Sequence, residues 1–89
     1  RPQFSATHSY AISILIEPVC GKVDAPALKA ASEAEAAVDG ALVNASWAAA
    51  AARTRTLDER NCSYLLGEVE NAEWKATQAL APVAAPAKH

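Results

Sequence analysis

Alanine recurs at heptad spacing from Ala27 to Ala52, and this feature most constrains what the chain can fold into. Ala27, Ala31, Ala34, Val38, Ala41, Ala45, Ala48 and Ala52 form one helical seam, flanked by Leu28 and Leu42. Alanine is the strongest helix former, and small seam residues admit a neighbouring helix closely. The opposite face carries Lys29, Ser32, Glu33, Glu35, Asp39, Ser46 and Arg53, which suits solvent. Asp24 as N-cap and Pro26 in the first turn predict a start near residue 25.

The run Arg53-Thr54-Arg55-Thr56 interrupts this period. Thr56 and Glu59 are spaced as a capping box, so a second helix is expected over about 57–80. Its seam reads Cys62, Leu65, Val69, Ala72, Ala76 and Ala79, with Leu66 and Leu80 beside it. Ahead of both helices the period becomes two. Tyr10, Ile12, Ile14 and Ile16 alternate with Ala11, Ser13, Leu15 and Glu17, and the β-branched content predicts a strand over about 9–17. A second strand is not evident. An isolated strand leaves backbone donors and acceptors open, so it would pair with another chain. A short helix covering the other two is the competing reading.

The expected fold is therefore mainly α. It is an antiparallel hairpin of helices about 25–53 and 57–80, or a small three-helix arrangement broken at Gly40, with one N-terminal strand. Residues 1–89 make a single small domain, with 1–8 and 82–89 as flexible tails.

Two cysteines separate the two arrangements. In a straight hairpin turning near residue 54, Cys62 lies level with about residue 47, roughly 33 Å along the helix from the end near Cys20. The tether from Cys20 to Asp24 reaches ~14 Å, and a disulfide requires Cα atoms within ~7 Å. A straight hairpin thus forbids the Cys20–Cys62 bond. A break at Asp39-Gly40 folds the first half back and permits it. The bond and the break stand or fall together. The sequence Gly40-x-[Leu/Val]-x-Asn44-Ala-x-Trp47-x-Ala49 repeats at Gly67-x-[Leu/Val]-x-Asn71-Ala-x-Trp74-x-Ala76. Since Gly67 sits inside a helix, the repeat favours the unbroken hairpin and unbridged cysteines.

Composition narrows function. Hydrophobic residues make up 52% of the chain but aromatic ones only 6%, so bulky core side chains are scarce. The net charge is −2, which disfavours nucleic acid, and no apolar run approaches a bilayer span. The absence of methionine implies that Arg1 is not an initiator, and N-terminal processing for export or an organelle is expected. Two Asn-x-Ser triplets, at Asn44 and Asn61, and the presence of two cysteines point the same way.

Catalytic and metal-ligating patterns are weak. His8 and His89 lie at opposite ends, with no second ligand at metal spacing. Cys62 has no positioned base and reads as a seam residue. Glu70 and Glu73 share a helix face, as a general acid and base would, yet a solvated face is the commoner meaning. Arg53, Arg55 and Arg60 are expected to complement Asp58 and Glu59. No catalytic residue, metal or cofactor is expected.

The favoured function is a non-catalytic helical accessory protein. It would dock on other protein chains, or on itself, through the strand residues Tyr10, Ile12, Ile14 and Ile16 and the alanine seam. One alternative is a small secreted ligand-binding protein using Asn44, Trp47, Asn71 and Trp74. A second is a small enzyme subunit using helix carboxylates. If residues 10–16 were bonded wholly within their own chain around a closed interior, the strand argument for assembly would fall. The ligand-binding alternative would then gain.

Overall fold

The computed structural model describes residues 5–84, with side chains up to residue 79. The tail expected over 85–89 and residues 1–4 of the lead-in lie outside the described residues. Five helices follow in order: α1 (Ala6–Leu15), α2 (Glu17–Cys20), α3 (Pro26–Val38), α4 (Gly40–Arg53) and α5 (Glu59–Ala84).

Among the described residues there is no strand. The segment read as strand 9–17 is α1 and the start of α2. Its N–H groups bond within its own chain, from Ser9 N–H to Ser5 C=O at 3.3 Å through to Ile16 N–H to Ile12 C=O at 3.0 Å. It therefore needs no partner strand. Ile12 and Ile16 share a helix face as well as a strand face, being four apart, and both are buried. Ile14 turns outward and is 37% exposed, while Tyr10 packs against the core edge. The competing expectation of a short helix is the one realised.

The long hairpin is also corrected. The chain breaks at Asp39, which is extended at φ −148° and ψ 92°. This one residue ends α3 and begins α4, and its carboxylate accepts the Leu42 N–H at 3.1 Å. The break is an aspartate cap; Gly40 is already the first residue of α4. With the break comes the bond it permits. Cys20 and Cys62 are joined, with Cα atoms 5.5 Å apart, tying α2 to α5.

α1 is the centre of the molecule and packs against α3, α4 and α5. Among the described residues α4 and α5 do not pack on each other, although consecutive; α1 separates them. The interior contains Ala6, Ala11, Ile12, Ile16, Ala25, Leu28, Ala50, Leu65, Val69, Ala72 and Ala76. The α5 seam thus faces inward at Leu65, Val69, Ala72 and Ala76, while Ala79 is exposed.

The seam assigned to α3 and α4 faces inward only at its start, where Ala27 and Ala31 are half-buried against the core. Lys29, Glu33, Asp39 and Arg53 are exposed as expected. Ala34, Val38, Ala41, Ala45, Ala48 and Ala52 are exposed, and Ser32 and Ser46 from the supposed solvent face are buried. Small hydroxyl side chains let α1 approach closely while satisfying one another. Ser32 Oγ donates to Thr7 Oγ1 at 3.3 Å, and Ser46 Oγ lies 3.4 Å from Ser5 Oγ. Every buried side-chain nitrogen or oxygen among the described residues has a partner.

Residues 5–8 are the cap and first turn of α1, not a lead-in, and α5 continues past Pro82 to Ala84. The start of α5 is set two residues later than expected. Asp58 Oδ1 accepts the Arg60 N–H at 2.9 Å and Asn61 Oδ1 accepts the Asp58 N–H at 3.1 Å, a reciprocal pair replacing Thr56 and Glu59.

Candidate functional site

Two glutamates that resemble free carboxylates in the sequence are committed to helix ends. Glu35 of α3 accepts the N–H groups of Ala6 at 2.9 Å and Thr7 at 3.0 Å, together with the Thr7 hydroxyl at 2.7 Å. Glu73 of α5 accepts the N–H groups of Ala27 at 3.1 Å and Leu28 at 2.8 Å. The first turns of α1 and α3 are thereby capped from distant parts of the chain. For α3 this replaces the expected Asp24 cap, since the residue at the cap position is Ala25, whose side chain cannot accept. A negative charge against a helix N-terminus is stabilised by the axial dipole. The two oxygens of Glu73 are thus engaged.

A third carboxylate joins helices that do not otherwise meet. Arg53, at the end of α4, donates to both oxygens of Glu68 on α5, at 2.7 and 2.9 Å. This fork geometry fixes direction as well as distance. The Arg53 hydrogen bonds hold the Glu68 carboxyl below the usual carboxylate range, against an opposing effect of burial. Tyr64 and the nearby His8 act in the same direction as Arg53. The Arg53 guanidinium is correspondingly pushed up, chiefly by Glu68. The expected local pairing of the arginines holds for Arg60, which meets Asp58 at 3.1 Å; Arg53 instead spans to α5. His8, expected in a tail, sits half-buried in the first turn of α1.

The residues singled out as contacts are not brought together. Tyr10 and Ile14 line a groove of about 440 Å³ between α1 and the start of α3, with Lys22, Val23, Pro26 and Lys29 around it. Ile12 and Ile16 are in the core. Trp47 is half-buried against the core, whereas Trp74 is 61% exposed, and Asn44 and Asn71 are both exposed. The two repeat copies therefore occupy different environments on helices that α1 holds apart. Asn71 lines a smaller cleft of about 180 Å³ with Ser9, Glu68, Ala72 and Lys75. Neither concavity includes a tryptophan. Of the two sequon residues, Asn44 is exposed on α4, and Asn61 is occupied in capping α5.

On the outer face of α5, Asn71 and Trp74 of the repeat are continued by Tyr64 and Gln78, which the repeat does not include. Tyr64, Gly67, Asn71, Trp74 and Gln78 recur at alternating intervals of three and four, and all are exposed. The signal was present as a second heptad phase on the same helix, masked by the stronger Leu65/Val69/Ala72/Ala76 seam.

Among the described residues no group of histidine, cysteine and carboxylate side chains is placed to hold a metal. No helix there is long and apolar enough to cross a membrane. Comparisons with protein-family models, curated proteins and solved structures found no match.

Proposed function

We propose that this chain is a non-catalytic helical interaction protein that docks on another protein through the outer face of α3 and α4. The observation that carries this reading is the outward alanine face. Ala41, Ala45, Ala48 and Ala52 run along α4 opposite its buried Ser46 and Ala50. Val38, at the joint with α3, is 87% exposed. A face of methyl groups with no long side chains presents a helix backbone to a partner at close range and little entropy cost. An unpaired strand has no part in this docking, because residues 10–16 are satisfied within α1 and its cap. The engagement of Glu35, Glu68 and Glu73 in structural bonds supports a non-catalytic role. The Cys20–Cys62 bond supports an oxidising compartment.

The test is affinity isolation from the native source with wild-type chain and with Ala45→Glu and Ala48→Glu as baits. Those two positions are exposed, so the variants keep the wild-type helical spectrum. A partner retained by wild type and lost from both variants is the expected result. A partner retained equally by all three would overturn the α4 assignment.

A second reading rests on the groove containing Tyr10 and Ile14. Its volume of about 440 Å³ is that of a small-molecule site. In this reading the ligand is a small apolar molecule held against Ile14 and Tyr10, in a lining whose Lys22 and Lys29 are offset by Glu17 and Asp24. An apolar fluorescent probe that binds wild type and Ile14→Asp equally would remove it.

A further inference from the structure

We propose that the Arg55–Thr56 peptide bond is a processing site for an arginine-specific endopeptidase. Cleavage there yields two chains that remain one folded molecule, joined through Cys20 and Cys62. The site lies in the connection between α4 and α5, apart from the outer alanine face, and neither proposal rests on the other.

The side chain of Arg55 differs from those of its neighbours Arg53 and Arg60. Arg53 donates to both oxygens of Glu68, and Arg60 donates to Asp58 at 3.1 Å. Arg55 is exposed, and among the described residues its guanidinium has no hydrogen bond or ion pair. An exposed arginine without a partner is what the acidic specificity pocket of a trypsin-like enzyme takes.

The backbone is open at the same place. Thr54 ends α4 and α5 begins at Glu59, so Arg55 and Thr56 lie between helices. The Arg55 N–H reaches the Ala52 C=O only at 3.4 Å, a long bond. Among the described residues the Arg55 C=O accepts no hydrogen bond and the Thr56 N–H donates none. These are the groups that an endopeptidase captures: the C=O enters its oxyanion hole and the amide nitrogen departs. One contact opposes entry. Leu57 packs half-buried against the core, so the loop must lift locally before it binds.

Hydrolysis consumes one water. The Arg55–Thr56 C–N bond breaks, Arg55 gains a carboxylate and Thr56 an ammonium. Residues 1–55 then carry α1 to α4, and residues 56–89 carry α5. The cut falls inside the span closed by Cys20 and Cys62, so the pieces stay covalently joined. Leu65, Val69, Ala72 and Ala76 keep α5 in the core, and Glu73 still caps α3. Arg53 and Glu68, now on separate pieces, hold the cut ends close.

The oxidised full chain would be treated with a limiting amount of an arginine-specific endopeptidase, beside Arg55→Gln, Arg55→Lys and Arg60→Gln. Wild type should first gain the mass of one water and keep its helical spectrum. On reduction it should separate into residues 1–55 and 56–89. Both Arg55 variants should slow this first cut by about a hundredfold or more. Arg55→Lys retains the charge, so its resistance reports recognition and not altered folding. Arg60→Gln should leave the rate unchanged. A wild-type chain that resists the enzyme, or is cut first after Arg53 or Arg60, would overturn the proposal. So would Arg55 variants cut as fast as wild type, or a cut chain that loses its helical spectrum with the disulfide intact.

Discussion

The carboxylate of Glu73 on α5 accepts the backbone N–H of Leu28 on α3 at 2.8 Å, from 45 positions further along the chain. Leu28 is itself fully buried, so this bond fixes the start of α3 against the core at the residue that anchors it. Glu73→Ala leaves two helix-end donors open and should cost about 1–2 kcal/mol in urea denaturation. Glu73→Gln retains an acceptor and should cost less than Glu73→Ala. Equal losses would mean that packing of the side chain, and not the bonds, matters.

The corresponding group at the start of α1 should weigh more. Glu35 satisfies three donors, all of them on two buried residues, Ala6 and Thr7. Glu35→Ala is expected to lower stability by about 2–3 kcal/mol. Thr7→Val in the same background should add less than it costs alone, because the Thr7 hydroxyl has already lost its acceptor. Double-mutant denaturation curves read this directly.

The Cys20–Cys62 bond closes a span of 42 positions. Loop closure on that scale is worth about 4 kcal/mol, a large share of the stability of a chain this small. Reduction, or Cys20→Ala with Cys62→Ala, should lower the denaturation midpoint strongly. An unchanged midpoint after reduction would show that α2 is held to α5 by packing alone.

Gly67→Ala should raise the stability of the monomer by about 0.5–1 kcal/mol. The position is exposed in the interior of α5 and its surroundings are open. A loss of stability instead would point to a contact at Gly67 within the chain.

The Arg53–Glu68 pair sets a modest pH dependence. The folded Glu68 carboxyl is held below its ordinary value, mainly by Arg53. Its contribution is therefore fully present above the unfolded carboxyl range near pH 4.3 and is lost as pH falls through the folded value. Side chains that are 36% and 32% exposed limit the effect to about 1 kcal/mol or less. Glu68→Gln should flatten this part of the stability profile below about pH 5 and change little at pH 7 beyond that amount.

The inward face of α5 was legible because Leu65 and Val69 are bulky and repeat at the helical period. The faces of α3 and α4 were not, because alanine carries too little apolar area to decide orientation. Ser32 is buried with its hydroxyl on Thr7 and Ser46 with its hydroxyl against Ser5, which no local pattern announces. Tyr10 to Ile16 misled for a different reason. Alternation and the i, i+4 pair Ile12/Ile16 are both present, and only burial on three sides selects the helix. The dependence of the disulfide on a break at residues 39–40 followed from chain geometry alone. Its outcome turned on Asp39 adopting an extended conformation with its side chain on Leu42, where the repeat had argued for continuity. The glutamate caps carry no sequence signature at all, since each acceptor lies some 28 to 46 positions from its donors.

The central position of α1 has a consequence for how the protein matures. Its walls are supplied by helices that emerge later, the last of them α5, and its capping carboxylate arrives with Glu35. A nascent chain that has not yet released α5 holds Ile12 and Ile16 without one of their covers. Final docking must then follow synthesis of the whole bundle, and thiol oxidation between Cys20 and Cys62 must await the start of α5, which carries Cys62. The first helix to be made is therefore the last to be fully enclosed.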